Sequence, residues 1–234
     1  MLVMYKEQVL QILKTPVLYK QYSKFLICSL LVLSAFSGSA TFNISDALLI
    51  KIKNKYGEQA SIRVEQWHKL MQTAKNLPEQ EKLTRVNDFF NQRIEFVDDV
   101  YLWGVKDYWA TPLELLSRGA GDCEDFSIAK YFTLKELGVP ESKIRITYVK
   151  ALTLNQAHMV LTYFSSPRAL PVVLDNLIPE IKSAAKRKDL LPVYSFNGSG
   201  LWLAKSRGRG KRVGGSSRLS MWSELKQRML NNTF

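Results

Sequence analysis

Between Asp122 and Gly138 the chain carries a helix that has to be surrounded by protein on nearly every side. The run CEDFSIAKYFTLKELG places Phe126, Ala129, Phe132 and Leu137 along it, and Ile128, Tyr131 and Leu134 fill the remaining faces. A helix apolar on most sides is stable only at the centre of a core, so the rest of the domain must be built around this one. Asp122 supplies a plausible N-cap and Gly138-Val139-Pro140 the stop. The first residue inside the cap is Cys123, and Asp122, Glu124 and Asp125 beside it are all acids.

The flanking sequence reads as helices first and strands later. Ile62, Trp67, Leu70, Met71 and Ala74 recur at helical spacing before Asn76-Leu77-Pro78, and Leu83, Val86, Phe89, Phe90 and Ile94 predict a second helix. From Val97 to Thr111 the pattern breaks into an aromatic loop with Tyr101, Trp103, Tyr108 and Trp109. Thr111-Pro112-Leu113-Glu114 then has the form of a capped helix start. Strands are expected over Ile144–Ala151, His158–Phe164 and Pro171–Asn176. A hairpin from Val193–Phe196 to Leu201–Ala204 should turn through Asn197-Gly198-Ser199-Gly200.

The chain start decides how the cysteines are counted. Residues 1–24 hold four lysines against the single acid Glu7, Phe25 to Phe36 is uncharged and apolar, and Ser37-Gly38-Ser39-Ala40 is small. That is the pattern of a secretory signal peptide over residues 1–40, cleaved after Ala40. The alternative is an uncleaved membrane anchor, although a span needs about 20 apolar residues. Cleavage removes Cys28, which lies inside the apolar core and not where a lipidated cysteine would stand, and leaves Cys123 unpaired. An odd cysteine in an oxidising compartment is either a buried accident or a reactive thiol. The mature chain from Thr41 suits one domain, over 41–204, followed by a C-terminal segment over 205–234.

The net charge of +12 is unevenly spread. The lead accounts for three charges, and Lys205 to Arg218 (KSRGRGKRVGGSSR) adds six basic residues and no acid. A Gly/Ser/Arg segment of this kind is expected to be a flexible basic arm. It is either a solvated tail or a contact for an anionic partner, and export argues against nucleic acid.

A cysteine at a helix N-terminus feels the positive end of the helix dipole, which favours the thiolate. With Ser165 to Arg168 as a turn, Phe164 faces Ala169 and His158 falls directly opposite Asp175. Directly opposed residues share a face with Cβ atoms about 4.5–5.5 Å apart. Cys123, His158 and Asp175 therefore form a candidate acyl-transfer triad of nucleophile, base and orienting acid. The competing reading is a small core cysteine, a satisfied strand histidine and a turn acid. His68, beside Lys69 on a surface-like helix, stands apart. The flanking acids should raise the thiol's pKa unless a hard cation held by Asp122, Glu124 and Asp125 offsets them, and oxygen ligands favour calcium. Alternatively they only cap the helix.

Gly121-Asp122-Cys123-Glu124-Asp125-Phe126, Ala129-Lys130-Tyr131, Leu137-Gly138-Val139, Ala157-His158-Met159-Val160 and Val173-Leu174-Asp175-Asn176 together resemble the bacterial transglutaminase-like cysteine proteinases. These include the LapG-type periplasmic proteases that release large biofilm adhesins, and the resemblance spans roughly residues 60–205. It implies a papain-like, transglutaminase-type α+β fold, with N-terminal helices and the nucleophile on a central helix against an antiparallel sheet. It implies Cys123 as nucleophile, His158 as base, Asp175 as orienting acid, and calcium bound through Asp122, Glu124 and Asp125. The expected substrate is the N-terminal region of a large repeat adhesin, cut at a dialanine-containing site. The expected inhibitory partner is an inner-membrane receptor that senses cyclic di-GMP. The oxyanion would be held by the Cys123 N–H and a donor from the aromatic loop, Trp103 being a candidate. A transglutaminase, a peptidoglycan amidase or a non-catalytic calcium-binding module are the alternatives.

Overall fold

The computed structural model describes residues 44–204 and 210–231, so the signal peptide expected over 1–40 lies outside the described residues. Among the described residues, no helix is long and apolar enough to cross a membrane.

Three helices open the domain: α1 over Asp46–Tyr56, α2 over Glu58–Ala74 and α3 over Glu79–Arg93. Ser45 caps α1 by accepting the Leu48 N–H at 3.2 Å. Helix α2 buries Ala60, Val64, Trp67, Met71 and Ala74, and α3 buries Leu83, Val86, Phe89 and Phe90, each on one face at three- and four-residue spacing. Strand β1 (Glu95–Phe96) then pairs in parallel with β2 (Ala120–Gly121), bracketing the loop between them. Inside that bracket lie the short helix α4 (Asp99–Leu102) and helix α5 (Pro112–Arg118).

Helix α5 begins where the sequence placed it. The Glu114 N–H donates to Thr111 Oγ1 at 3.2 Å, and the Thr111 N–H donates back to Glu114 Oε2 at 2.7 Å. It ends at Gly119, whose left-handed φ of 74° suits glycine. The Arg63 guanidinium donates to the Leu116 and Ser117 carbonyls at 2.8 and 3.1 Å. A Cβ on Gly119 would sit 2.6 Å from that guanidinium and would have to displace it.

Helix α6 (Cys123–Glu136) is the central helix, with Ile128, Tyr131 and Leu134 fully buried. It packs between α3 and a seven-stranded sheet of order β6-β5-β4-β3-β7-β8-β9. The strands are β3 (Ile144–Ala151), β4 (Gln156–Tyr163), β5 (Val172–Leu174), β6 (Lys182–Ser183), β7 (Leu190–Phe196), β8 (Leu201–Leu203) and β9 (Lys211–Gly214). All the pairings in this sheet are antiparallel. Ile144, Ile146, Met159, Leu161 and Leu174 face the helices, while Val149, Val160 and Val173 form a small cluster of their own.

The structure departs from the sequence expectation at the β4–β5 register and at the C-terminal segment. The β4–β5 register is Leu161 against Leu174 and Tyr163 against Val172, two residues away from the one that sets His158 opposite Asp175. The tight turn fails because Pro171 has no N–H for the ladder, so β5 starts only at Val172 and the connection lengthens. A two-residue slip preserves the face, so His158 and Asp175 still point the same way, as diagonal neighbours.

The basic C-terminal segment is also not simply a flexible arm. Lys211–Gly214 adds β9 to the sheet edge, and helix α7 follows over Ser220–Leu230. Trp222 on α7 is completely buried, its ring 5.2–5.6 Å from those of Phe196, Phe132 and Tyr131. Leu225, one turn on, is buried as well. A tryptophan this enclosed stabilises the fold by about 3–5 kcal/mol relative to alanine, so α7 belongs to the core.

Candidate active site

Backbone constraints place Cys123. Gly121 ends β2, and a Cβ there would lie 2.5 Å from Leu115 Cδ1 and 2.6 Å from Asp125 Oδ2. Its absence leaves room for Asp125 to fold back over the helix start. Asp125 Oδ1 accepts the Ala110 N–H at 2.7 Å, and Oδ2 accepts the Asp122 N–H at 3.4 Å. Asp122 is thus the extended N-cap and Cys123 the first residue of α6, as read from the sequence.

Strand β5 ends at Leu174, so β4 has no β5 partner ahead of Leu161, and α6 packs against β4 and β3. The backbone N–H of Met159, the residue next to His158, lies on the Cys123 side and favours the thiolate. The Cys123 S–H donates to Glu124 Oε2 at 3.1 Å. Burial, then Glu124 and Asp122, push the thiol well above its ordinary pKa, while the Met159 N–H pulls the other way.

His158 Nε2 and Asp175 Oδ1 are 2.8 Å apart, and both side chains are shut away from solvent. Asp175 is held by more than histidine. Its Oδ1 also accepts the Leu177 N–H at 3.1 Å, and Oδ2 accepts from Arg187 Nη2 at 2.7 Å. Burial alone would raise the Asp175 pKa, but the hydrogen bonds from His158 and Arg187 outweigh it and keep the carboxyl below the usual range. Asp189 in turn binds Arg187 Nη2 at 2.8 Å, so the buried guanidinium serves two carboxylates.

Next to the thiol the acids converge. Oxygens of Asp99, Asp122 and Asp125 lie within 4.8 Å of one another, as do those of Asp99, Asp107 and Glu124, and Asp122 and Glu124 group with the Cys123 sulfur. Desolvation raises Asp99 to about 6, Glu124 to about 7 and Asp122 to about 9, with repulsion from neighbouring acids adding to each. Asp99 Oδ1 and Asp122 Oδ1 are buried oxygens without a hydrogen-bond donor. Carboxylates crowded together with orphaned oxygens fit a hard divalent cation. Asp125 differs from the other two acids beside the cysteine, because backbone N–H groups already occupy both of its oxygens. Asp99 and Asp107 join the acids beside the cysteine only in the folded chain. Their one signal is that the aromatic loop ahead of an acid-ringed cysteine holds three acids, Asp98, Asp99 and Asp107.

Arg187, Asn87 and Asn91 carry no local signal, and Lys130 stands in the sequence only within the Ala129-Lys130-Tyr131 motif. Lys130, 1% exposed on α6, donates to Asn87 Oδ1, Asn91 Oδ1 and the Asp175 carbonyl at 3.0, 2.8 and 3.1 Å. His68 takes no part and bonds Gln72 at 2.8 Å. Trp103 packs against Tyr108, and its indole N–H is buried without an acceptor.

A helix-borne cysteine against an antiparallel sheet that carries a His–Asp pair is the frame of a papain-like α+β hydrolase. Residues 54–196 match the bacterial transglutaminase-like cysteine proteinases, and the chain belongs to that family. Solved structures of LapG from Legionella pneumophila are 44% identical to it and overlie 80% of its length. The EGTA-treated form is covered over 98% of its own chain with a TM-score of 0.70, and the calcium-bound form over 99% with a TM-score of 0.68. Among curated proteins none matches.

Proposed function

We propose that the chain is a calcium-dependent cysteine endopeptidase acting through Cys123, His158 and Asp175. The observation that carries this reading is the buried His158–Asp175 pair at 2.8 Å, on the strand beside which the Cys123 helix packs. With Nε2 engaged by Asp175, His158 Nδ1 is the nitrogen that takes the thiol proton. Sulfur attacks the scissile carbonyl, and the Cys123 backbone N–H at the start of α6 stabilises the oxyanion. The unpartnered Trp103 indole N–H fits the role of second donor. His158 then protonates the leaving amine, and a water activated by the same imidazole releases the acyl group. Asp175 stabilises the imidazolium throughout.

Calcium fits the acid cluster, with Asp122, Glu124, Asp99 and Asp107 as holders and Asp125 positioned behind them by its backbone bonds. When bound, the ion supplies positive charge that neutralises the carboxylates nearest the sulfur. That the Legionella relative has calcium-bound and EGTA-treated forms supports this assignment.

The proposed substrate is the N-terminal region of a large repeat adhesin, cut in the periplasm after export, so that cleavage controls biofilm attachment. The proposed inhibitory partner is an inner-membrane receptor for cyclic di-GMP. Incubating the full chain and calcium with a recombinant N-terminal adhesin fragment, followed by mass spectrometry of the products, tests the reading. Two fragments with one new N-terminus are expected. An isopeptide-linked product would instead show a transglutaminase, and an intact fragment a binding module.

A further inference from the structure

Strand β5 stops at Leu174, one residue before the acid that has to face His158, so no strand ladder fixes the Asp175 backbone. Other groups do so. The Asp175 carbonyl accepts from Lys130 Nζ at 3.1 Å and from Asn91 Nδ2 at 2.8 Å. Four residues on, the Pro179 carbonyl accepts from Asn87 Nδ2 at 2.7 Å. Lys130 ties these together, since Asn87 Oδ1 and Asn91 Oδ1 are its other two acceptors. Three acceptors use all three N–H groups of an ammonium. Asn87 and Asn91 stand four residues apart on α3 and so present one face of that helix.

Burying an ammonium is costly, and a methionine of similar length would fill the same space without that cost. Lys130 also lies on the helix that begins with Cys123, seven residues and so two turns further on, about 10 Å along the axis. The helix bearing the nucleophile and the loop bearing the orienting acid are therefore pinned together at one nitrogen. Resting on the function proposed above, we infer that Lys130, with Asn87 and Asn91, is the positioning residue that sets Asp175, and through it His158, relative to Cys123. Arg187 and the Leu177 N–H orient the Asp175 carboxylate, while Lys130 sets where the residue stands.

Lys130→Met in the full chain with calcium tests this, with Asn91→Ala as a half-buried companion that keeps the lysine. Melting curves establish that each variant is folded. Against the adhesin fragment, kcat of Lys130→Met should fall about 10- to 100-fold with KM within about twofold, because a misplacement on the order of 1 Å affects the reaction more than binding. In proton NMR, the low-field imidazole N–H of His158 bonded to Asp175 should move upfield or vanish, a change that a loss of stability alone does not produce in folded protein. Asn91→Ala should show the same two changes at smaller amplitude, and it decides the matter if Lys130→Met does not fold. Folded variants with native kcat and a native His158 resonance would overturn the inference. If the unaltered protein leaves the fragment intact, the proposed function fails, and the His158 resonance still decides the role of Lys130.

Discussion

Replacing Cys123 by alanine abolishes cleavage of the adhesin fragment, with turnover falling at least about 10⁴-fold, while the protein stays folded. The size of the loss follows from the division of labour at the site. His158 and Asp175 only move and stabilise a proton, so without the sulfur there is no covalent route for them to assist. Stability changes little by comparison. Burial and the neighbouring acids keep the half-buried thiol protonated at neutral pH, so its raised pKa costs the fold nothing there. Alanine removes only the sulfur's packing and its hydrogen bond to Glu124, and urea denaturation should show Cys123→Ala within about 1 kcal/mol of the native chain.

Removing calcium with EGTA should also stop cleavage, and adding the ion back should restore it. The physical basis is the acid cluster. Without a cation, Asp99, Glu124 and Asp122 hold their protons to about pH 6, 7 and 9, above their ordinary values, because desolvation and mutual repulsion oppose ionisation. In the unfolded chain the same groups ionise near pH 4. Between those limits the folded state binds more protons than the unfolded state, so stability without calcium falls as pH rises from about 4 to about 9. Bound calcium removes the reason to hold the protons, and melting temperature should then depend far less on pH over this range. Asp122→Asn should flatten the EGTA profile and at the same time weaken the response to calcium. Melting curves at several pH values, with calcium or EGTA, read both effects. A calcium-independent profile together with full activity in EGTA would remove the metal from the account.

What the sequence made legible was whatever local chemistry determines. The Thr111–Glu114 capping box, the Asp122 cap, the central helix and strand β3 depend on residues a few positions apart, and they stand where expected. His158 and Asp175 pair in the sequence by direct opposition across a tight turn that Pro171 prevents, and they still share a face only because the slip is two residues. The C-terminal helix was hidden because Trp222 and Leu225 follow a Gly/Ser/Arg run whose composition suggests an arm. Nothing local shows that Trp222 fills a space among Phe132, Tyr131 and Phe196. Arg187, Lys130, Asn87, Asn91, Asp99 and Asp107 share the same difficulty. Each is an ordinary polar residue until tertiary structure brings it beneath Asp175 or beside Cys123.

An acyl group passing through Cys123 would be caught by a rapid-quench experiment. The full chain with calcium is mixed with excess adhesin fragment, quenched in acid within the first turnover and examined by intact-mass and peptide mass spectrometry. A transient thioester joining the N-terminal cleavage product to Cys123 is expected, absent in the alanine variant. Cleavage with no adduct in any quenched sample, and persisting in Cys123→Ala, would contradict acyl transfer through Cys123.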